Sequence, residues 1–384
     1  MSSFETVTSA LTRLVGFDTT SRLSNLELIE WLEETLRPHA DHMQRIPNST
    51  GDKSNLWVRI GPDVPGGVVL SGHTDVVPVD GQDWRTDPFT VTPADDRFYG
   101  RGTSDMKSFI AMCVAFAPDF AAADLKRPIH FAFSYDEEVG CLGSPDMVAT
   151  IAAASAPPSV CWVGEPTLWS VMSGHKSIST YEVEVTGHEV HSSLPHLGVS
   201  AVHEALDLMN MLRVIAMQAE SDPPEDSPFD PPHATLTIGQ VQGGTAANIL
   251  AGHCRFVFDL RSPPQIDVDD LLSPFFELAG QMDQRIKAQF PECGVEVRQR
   301  SGTPGLNPDR DSEAESFVRA ITGDNASHFA SYAAEAGQFQ QAGIATVICG
   351  PGNIEQAHQP NEWIARDQIQ RGVDVFKQLL SQMI

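Results

Sequence analysis

The residues with chemistry to offer lie in five short stretches of a 384-residue chain. Ser71-Gly72-His73-Thr74-Asp75 follows the apolar run Val68-Val69-Leu70. Alternate side chains of a strand share a face, so His73 and Asp75 point the same way at its carboxyl end. Asp105 stands in the glycine-rich segment Gly100 to Asp105, just ahead of an apolar helix. Asp136-Glu137-Glu138 closes the apolar strand Ile129 to Ser134, Glu165 closes Val160 to Val163, and His358 follows the strand Ala345 to Cys349. Taken singly, each has a plain structural reading: a partnered core histidine, a helix-capping aspartate, a solvated charge run. Yet three consecutive carboxylates after a buried strand are costly unless solvated or neutralised by a cation. Open α/β sheets place ligands at the carboxyl ends of their strands, which favours the cation. Two imidazoles and several carboxylates without a thiolate suit Zn²⁺, with Co²⁺ or Mn²⁺ as substitutes. One His and one Glu per ion, with a shared Asp, would hold two ions about 3.5–4 Å apart.

The elements that must position these residues fall into two textures. From Phe4 to about Leu36 the spacing is helical, with Val7, Leu11, Leu14 and Val15 on one face and a break at Asp18 to Ser21. Leu56 to Ile60 and Val68 to Leu70 are strands, and Pro78 to Asp96 is a long polar loop. A helix from Ser108 to about Phe120 and the strands Ile129 to Ser134 and Val160 to Val163 complete the first texture. From about Lys176 the pattern becomes strand, helix, strand, strand, helix, strand, ending near Gln299. That βαββαβ order predicts a ferredoxin-like, four-stranded antiparallel sheet with two helices on one face. The first texture then returns, with a helix around Glu335 to Gln341, the strand Ala345 to Cys349 and a closing helix. The reading is a discontinuous α/β domain of residues 1–175 and 302–384 with a mixed sheet, interrupted by an inserted domain of residues 176–301.

A net charge of −26, from 51 acidic and 25 basic residues, leaves no basic footprint for nucleic acid or an anionic membrane. No run of 18 apolar residues exists, and no basic segment with an apolar core opens the chain. A cytoplasmic protein is therefore expected. The six cysteines are scattered without a CxxC, which reads as reduced, buried thiols.

Ser71 to Pro78, Gly100 to Lys107, Asp136-Glu137-Glu138, Gly164-Glu165-Pro166-Thr167 and Ala357-His358-Gln359-Pro360 together resemble the dinuclear zinc deacylase and exopeptidase family. Its members include deacylases of acetylornithine and succinyl-diaminopimelate, aminoacylases and glutamate-releasing carboxypeptidases. The resemblance spans essentially the whole chain, insertion included. The segments Gly164 to Thr167, Ala334-Glu335-Ala336-Gly337 and Gly350 to Pro360 look most like the acetylornithine branch. Two departures are Ser108, where the family usually has Gly, and Ala333-Ala334, where a Thr is more typical before Glu335.

What the resemblance implies is specific. His73 and Glu165 would hold one zinc, Glu138 and His358 the other, and Asp105 would bridge both. Asp75 would support His73, and the Asp105–Met106 peptide would be cis. Glu137 would be the general base, taking a proton from the attacking water and passing it to the leaving amine. In the inserted domain His191 would reach the neighbouring subunit's active site in a homodimer. Asn248 and Arg261 would bind substrate, the planar guanidinium suiting a carboxylate. A surface ion pair is the competing reading for Arg261, and His188 and His196 carry no assigned role. Glu335 would either read the ammonium of an ornithine substrate or serve structure by capping a helix or supporting the metal site. The expected activity is hydrolysis of an N-acylated amino acid, N²-acetyl-L-ornithine first, as in arginine biosynthesis. Another N-acyl-amino-acid deacylase or a dipeptidase or carboxypeptidase is the runner-up. A non-catalytic binding protein on this scaffold would have been free to lose Glu137. A Ca²⁺ or Mg²⁺ binder would not use two histidines.

Overall fold

A computed structural model describes residues 2–309 and 311–384. The chain divides into two compact units. One comprises the chain through Gly174, Leu306–Phe329 and Ala334–Ile384; the other comprises His175–Gly305 and Ala330–Ala333.

The first unit is built on an eight-stranded mixed sheet. Its order is His42–Pro47, Ser54–Ile60, Ile129–Ser134, Val68–His73, Val160–Val163, Ala345–Ile348, Met172–His175 and His328–Ala330. The four central strands are parallel and buried, which explains their continuous apolar sequences. Their register matters for function. His73 pairs with Ser134, Ser71 with Val163, and Val163 with Ile348, so the strands end together at one edge. The helix Lys107–Ala122 is buried almost all round and packs Phe109, Phe116 and Phe120 against Phe376 of the closing helix Arg366–Met383. Gly164 lets that helix approach the sheet: a Cβ there would lie 2.1 Å from the Phe109 ring.

Three pieces of this unit differ from the sequence reading. The polar loop after Asp75 ends in a strand, Thr92–Ala94, which pairs with Arg97–Tyr99 across a turn where Asp95 takes a φ of 53°. Trp363–Ala365 adds to the same small sheet. The edge strand His42–Pro47 is only half-buried and lacks a clean alternation, so its sequence carries little strand signal. The helix Ser144–Ala152 is short, and its proline at the first turn reads locally as a loop.

The second unit follows the expected order: Ser177–Thr186, Ala201–Ser221, Thr235–Gly243, His253–Ser262, Val268–Gln289 and Gly294–Thr303. Its four strands pair antiparallel in the spatial order second, third, first, fourth, which is the ferredoxin-like arrangement. One sheet face buries Tyr181, Val183, Phe256 and Phe258 against the helix residues Leu208, Leu212, Phe275 and Met282. The other face carries an ion-pair lattice in which Glu182 receives Arg255 and Arg298. Ser200 and Asp267 cap the two helices through their side chains. Among the described residues no helix is long and apolar enough to cross a membrane, and the six cysteines are buried and form no disulfide.

Each unit buries a neutral histidine. Burial lowers His130 to about 4, helped by the nearby Arg59 cation, and its Nδ1 accepts from the Trp57 indole at 3.1 Å. Burial likewise lowers His175 to about 4. A folded pKa below the unfolded value near 6.5 gives stability that is present above pH 6.5 and lost as pH falls towards 4. The loss is about 3 kcal/mol per histidine at most. Thermal melts in chelator should therefore show a steeper fall between pH 6.5 and 4 for the native chain than for His130→Gln, which keeps an acceptor but cannot titrate. Parallel profiles would show that His130 does not contribute.

Candidate active site

The aligned strand ends deliver the acids and imidazoles to one place. His73 is the last residue of its strand, Asp136-Glu137-Glu138 follows Ser134, and Glu165 follows Val163 by two residues. Asp105 comes from the loop preceding the helix at Lys107, and its peptide to Met106 is cis. The helix is preceded by Met106 with no side-chain capping bond, so Asp105 is free for another task. His358 arrives from the segment after Ala345–Ile348 and takes a φ of 62°.

Asp105 is the centre of the arrangement. Its Oδ1 lies 3.0 Å from His73 Nε2, and its Oδ2 lies 3.3 Å from His358 Nε2. His73 Nε2 is also 3.8 Å from Glu165 Oε1, and His358 Nε2 is 2.9 Å from Glu138 Oε2. Two groups form, His73 with Glu165 and His358 with Glu138, joined by one carboxylate. Donor atoms of His73, Asp105 and Glu138 lie within 4.8 Å of one another, as do those of His73, Glu137 and Glu165. The Cys141 thiol donates to the Glu137 carboxylate, Sγ to Oε1 3.2 Å.

Asp75 supports the site differently from its expected role. The ring Nδ1 of His73 meets the backbone carbonyl of Asp75 at 2.9 Å, while the Asp75 carboxylate stands 3.6 Å away. That carboxylate instead accepts the N–H groups of Glu137 and Glu138, at 3.1 and 3.3 Å, and the Ser21 hydroxyl at 2.7 Å. It therefore orients the Glu137-Glu138 turn, while the His73 ring rests against a peptide oxygen.

Electrostatics show what the pocket lacks. Burial pushes Glu137 up to about 8 against the pull of His73, and repulsion from Glu138, Asp105 and Asp75 adds to the rise. Burial and Asp105 push Glu138 up to about 7, against the pull of His358. Burial and Asp105 also raise Glu165 well above the ordinary carboxylate range. Hydrogen bonds to Asp105 and Glu138 raise His358 to about 10. Burial disfavours a charged His73, but Asp105, Glu165 and Glu137 outweigh it and hold its pKa well above normal. Burial opposes ionisation of Asp105, yet its bonds with His358 and His73 keep it well below the usual range. Carboxylates this crowded need more positive charge than two imidazolium rings provide. Glu165 Oε1 is also buried without a hydrogen-bond partner. An orphaned acceptor within a nitrogen-and-oxygen donor set fits divalent metal, and zinc in particular.

Of the two readings of Glu335, its surroundings favour the structural one. It is 1% exposed, its Oε1 accepts from Ser71 Oγ at 2.6 Å, and its Oε2 accepts from Ser134 Oγ at 2.8 Å. It sits at the start of the helix Ala336–Gln341 without a side-chain capping bond. Burial raises its pKa, partly offset by those two serines. A carboxylate so enclosed ties together the two strands that end in His73 and Ser134 and does not present an oxygen to a ligand's ammonium.

In the second unit His191 and Asn248 lie on adjoining loop segments: Ser192 N–H donates to the Asn248 carbonyl at 2.9 Å, and His191 bridges to Ile249. Both side chains are exposed, and His191 Nδ1 meets Ser193 Oγ at 2.8 Å. Arg261 stands on the strand His253–Ser262 and pairs with Asp259 at 2.9 Å, the surface ion pair that was its competing reading. His188 stacks on Phe290, ring centroids 4.1 Å apart, and His196 is exposed. Ser21, Cys141 and Glu362 touch the site without having been anticipated. Glu362 alone left a trace, as an acid beside the apolar Trp363-Ile364.

Comparison with known proteins agrees with this geometry. Residues 69–382 match the model of Peptidase family M20/M25/M40. An acetylornithine deacetylase of Edwardsiella ictaluri is 34% identical over 330 residues, 85% of this chain and 82% of its own. One from Vibrio parahaemolyticus is 33% identical over 359 residues, 93% of this chain and 91% of its own. An M20 family metallo-carboxypeptidase of Sulfolobus solfataricus shares the fold at a TM-score of 0.75 and 16% identity, with 97% of this chain and 98% of that one covered. With a histidine–carboxylate cluster at the strand ends and relatives of this kind across most of its length, the chain belongs to Peptidase family M20/M25/M40 and is a metal-dependent hydrolase.

Proposed function

We propose that the chain removes the acetyl group from N²-acetyl-L-ornithine, giving L-ornithine and acetate, with two Zn²⁺ per subunit. The observation that carries the hydrolytic reading is Asp105, which offers one oxygen to the His73 group and the other to the His358 group. The substrate rests on the curated relatives, which are acetylornithine deacetylases at 33–34% identity. Another N-acyl-amino-acid deacylase or a dipeptidase is the second reading. It is favoured by the burial of Glu335, which removes the acid expected to read the ornithine ammonium. A homodimer in the cytoplasm is part of the proposal, and buried cysteines without a disulfide accord with a reducing compartment.

His73, Asp105 and Glu165 would hold one ion, and His358, Asp105 and Glu138 the other. Bound there, the ions would supply Lewis acidity at the scissile carbonyl and favour ionisation of a water. The protein does the rest. Glu137 lies against the cluster, within reach of His73 and Glu165, and would hold and move the proton. Asp75 fixes Glu137 through its backbone N–H, and Cys141 orients its carboxylate. Asn248 and Arg261 would bind the substrate's polar groups, and His191 would act on the neighbouring subunit's site.

Elemental analysis and kinetics separate these roles. Glu138→Ala or His358→Ala should lose about one zinc per subunit. Glu137→Gln should keep both and lose kcat by roughly 10²–10⁴-fold, the usual size of a general-base contribution. A metal-free Glu137→Gln would reverse the assignment. For Glu335→Gln, kcat/KM on N²-acetylornithine and N-acetylmethionine should change in equal proportion, because the residue faces Ser71 and Ser134. A loss confined to acetylornithine would restore it as the ammonium reader. Co-expression of His191→Ala with Glu137→Gln should return partial activity through hybrid dimers; none from verified heterodimers would place His191 outside the neighbour's site.

A further inference from the structure

We propose that Glu362, Arg101 and Gln82 form a positioning clamp that fixes the separation of Asp105 and His358, and so the affinity of the ion those two residues share. This rests on the metal-site reading above. Glu362 is 1% exposed and makes four contacts with the Asp105 loop. Its Oε1 accepts the N–H groups of Ser104 and Asp105 at 2.7 and 3.0 Å. Its Oε2 accepts the Gly102 N–H at 3.0 Å and Arg101 Nη1 at 2.7 Å. The loop thus wraps its own backbone around one carboxylate, and the peptide N–H of the bridging aspartate is part of the wrapping.

Arg101 carries the contact onward. It is also 1% exposed, and it donates to the Gln359 carbonyl at 3.3 Å and to Gln82 Oε1 at 2.7 Å. The Gln82 amide nitrogen donates to the carbonyl of His358 at 3.0 Å. Trp84 holds Gln82 from the other side, its indole N–H 2.9 Å from Oε1. An unbroken chain therefore runs from the Asp105 peptide through Glu362, Arg101 and Gln82 to the His358 peptide. The last link matters because His358 is a non-glycine residue at φ 62°, a region it does not favour unaided. A buried ion pair is weak evidence for stability, since apolar replacements often serve as well. Apolar side chains, however, could not fix two loops through their backbone groups. That is the task this pair performs, and partners of this kind typically change metal affinity 10- to 100-fold when removed.

Gln82 is the residue to test, because it is only half-buried on a loop and its loss does not strand a buried charge. Zn²⁺ titrated calorimetrically into the chelator-treated full chain should bind as two equivalents. Gln82→Ala should weaken one by roughly tenfold and leave the other within about twofold. Gln82→Glu keeps an acceptor for Arg101 but cannot donate to the His358 carbonyl, so it should resemble Gln82→Ala. Glu362→Gln acts through the shared Asp105 and should weaken both equivalents. In Co²⁺-loaded protein the visible spectrum of the second equivalent should shift in both Gln82 variants, a signature that a purely structural loss would not give. Wild-type affinities and spectra in both variants would overturn the clamp. A wild-type result for Gln82→Glu alone would overturn the link to His358. A native chain that takes up no second equivalent would defeat the metal-site reading, and this inference with it.

Discussion

Asp105 sits where two imidazoles need the same carboxylate, with one oxygen toward each. Almost everything else in the first unit answers to that sharing. A single acid serving two centres must keep its charge, and burial works against it. The hydrogen bonds from His358 and His73 restore the balance and hold Asp105 ionised. The remaining acids are then too many for the charge available, and Glu137, Glu138 and Glu165 all rise. Crowding of this kind would be an error in a structural core. At the mouths of four parallel strands it is a socket fit for cations.

The fold supplies the socket through register. Parallel strands need long crossovers, so each can end in its own loop while all ends point one way. Pairing of His73 with Ser134, and of Ser71 with Val163, sets the depth at which each acid emerges. A slip of one residue would turn His73 to the other face of the sheet. Glu335 guards against such a slip by clasping Ser71 and Ser134 from within. Of the two roles open to Glu335 from the sequence, these contacts favour the structural one, a rivet beneath the histidine.

Much of this was legible in the chain because the central strands are continuous apolar runs, each interrupted by an acid or a histidine at its end. His73, Glu137, Glu138, Glu165 and His358 announce themselves by that contrast. The βαββαβ order of the second unit was equally plain from its switch between two-residue and helical periods. What did not show were the contacts that depend on distance along the chain. Ser21 meets Asp75, and Glu362 meets Asp105, across 54 and 257 positions. No local pattern marks a serine as one partner of a buried aspartate. Burial of Glu335 was hidden for a related reason: an acid at a helix start has a good exposed role, and only the strands beneath it show that the role is not taken.

Those distances also bear on when the site can exist. Its donors come from positions 73, 105, 138, 165 and 358, the last beyond the inserted unit, so no short segment can assemble even one group. The unfolded chain therefore offers scattered single ligands, and a divalent ion gains its full affinity only after the central strands have paired and the chain has returned from the insertion. Binding to the native state alone adds its free energy to folding. In the first unit the carboxylates that repel one another are therefore the ones such an ion would relieve. Among the described residues the second unit has no comparable cluster of buried acids; it adds surface ion pairs and helix caps to a core of aromatic and aliphatic side chains. The two units thus differ in what they bury, one an apolar core and the other an apolar core together with acids that a cation would relieve.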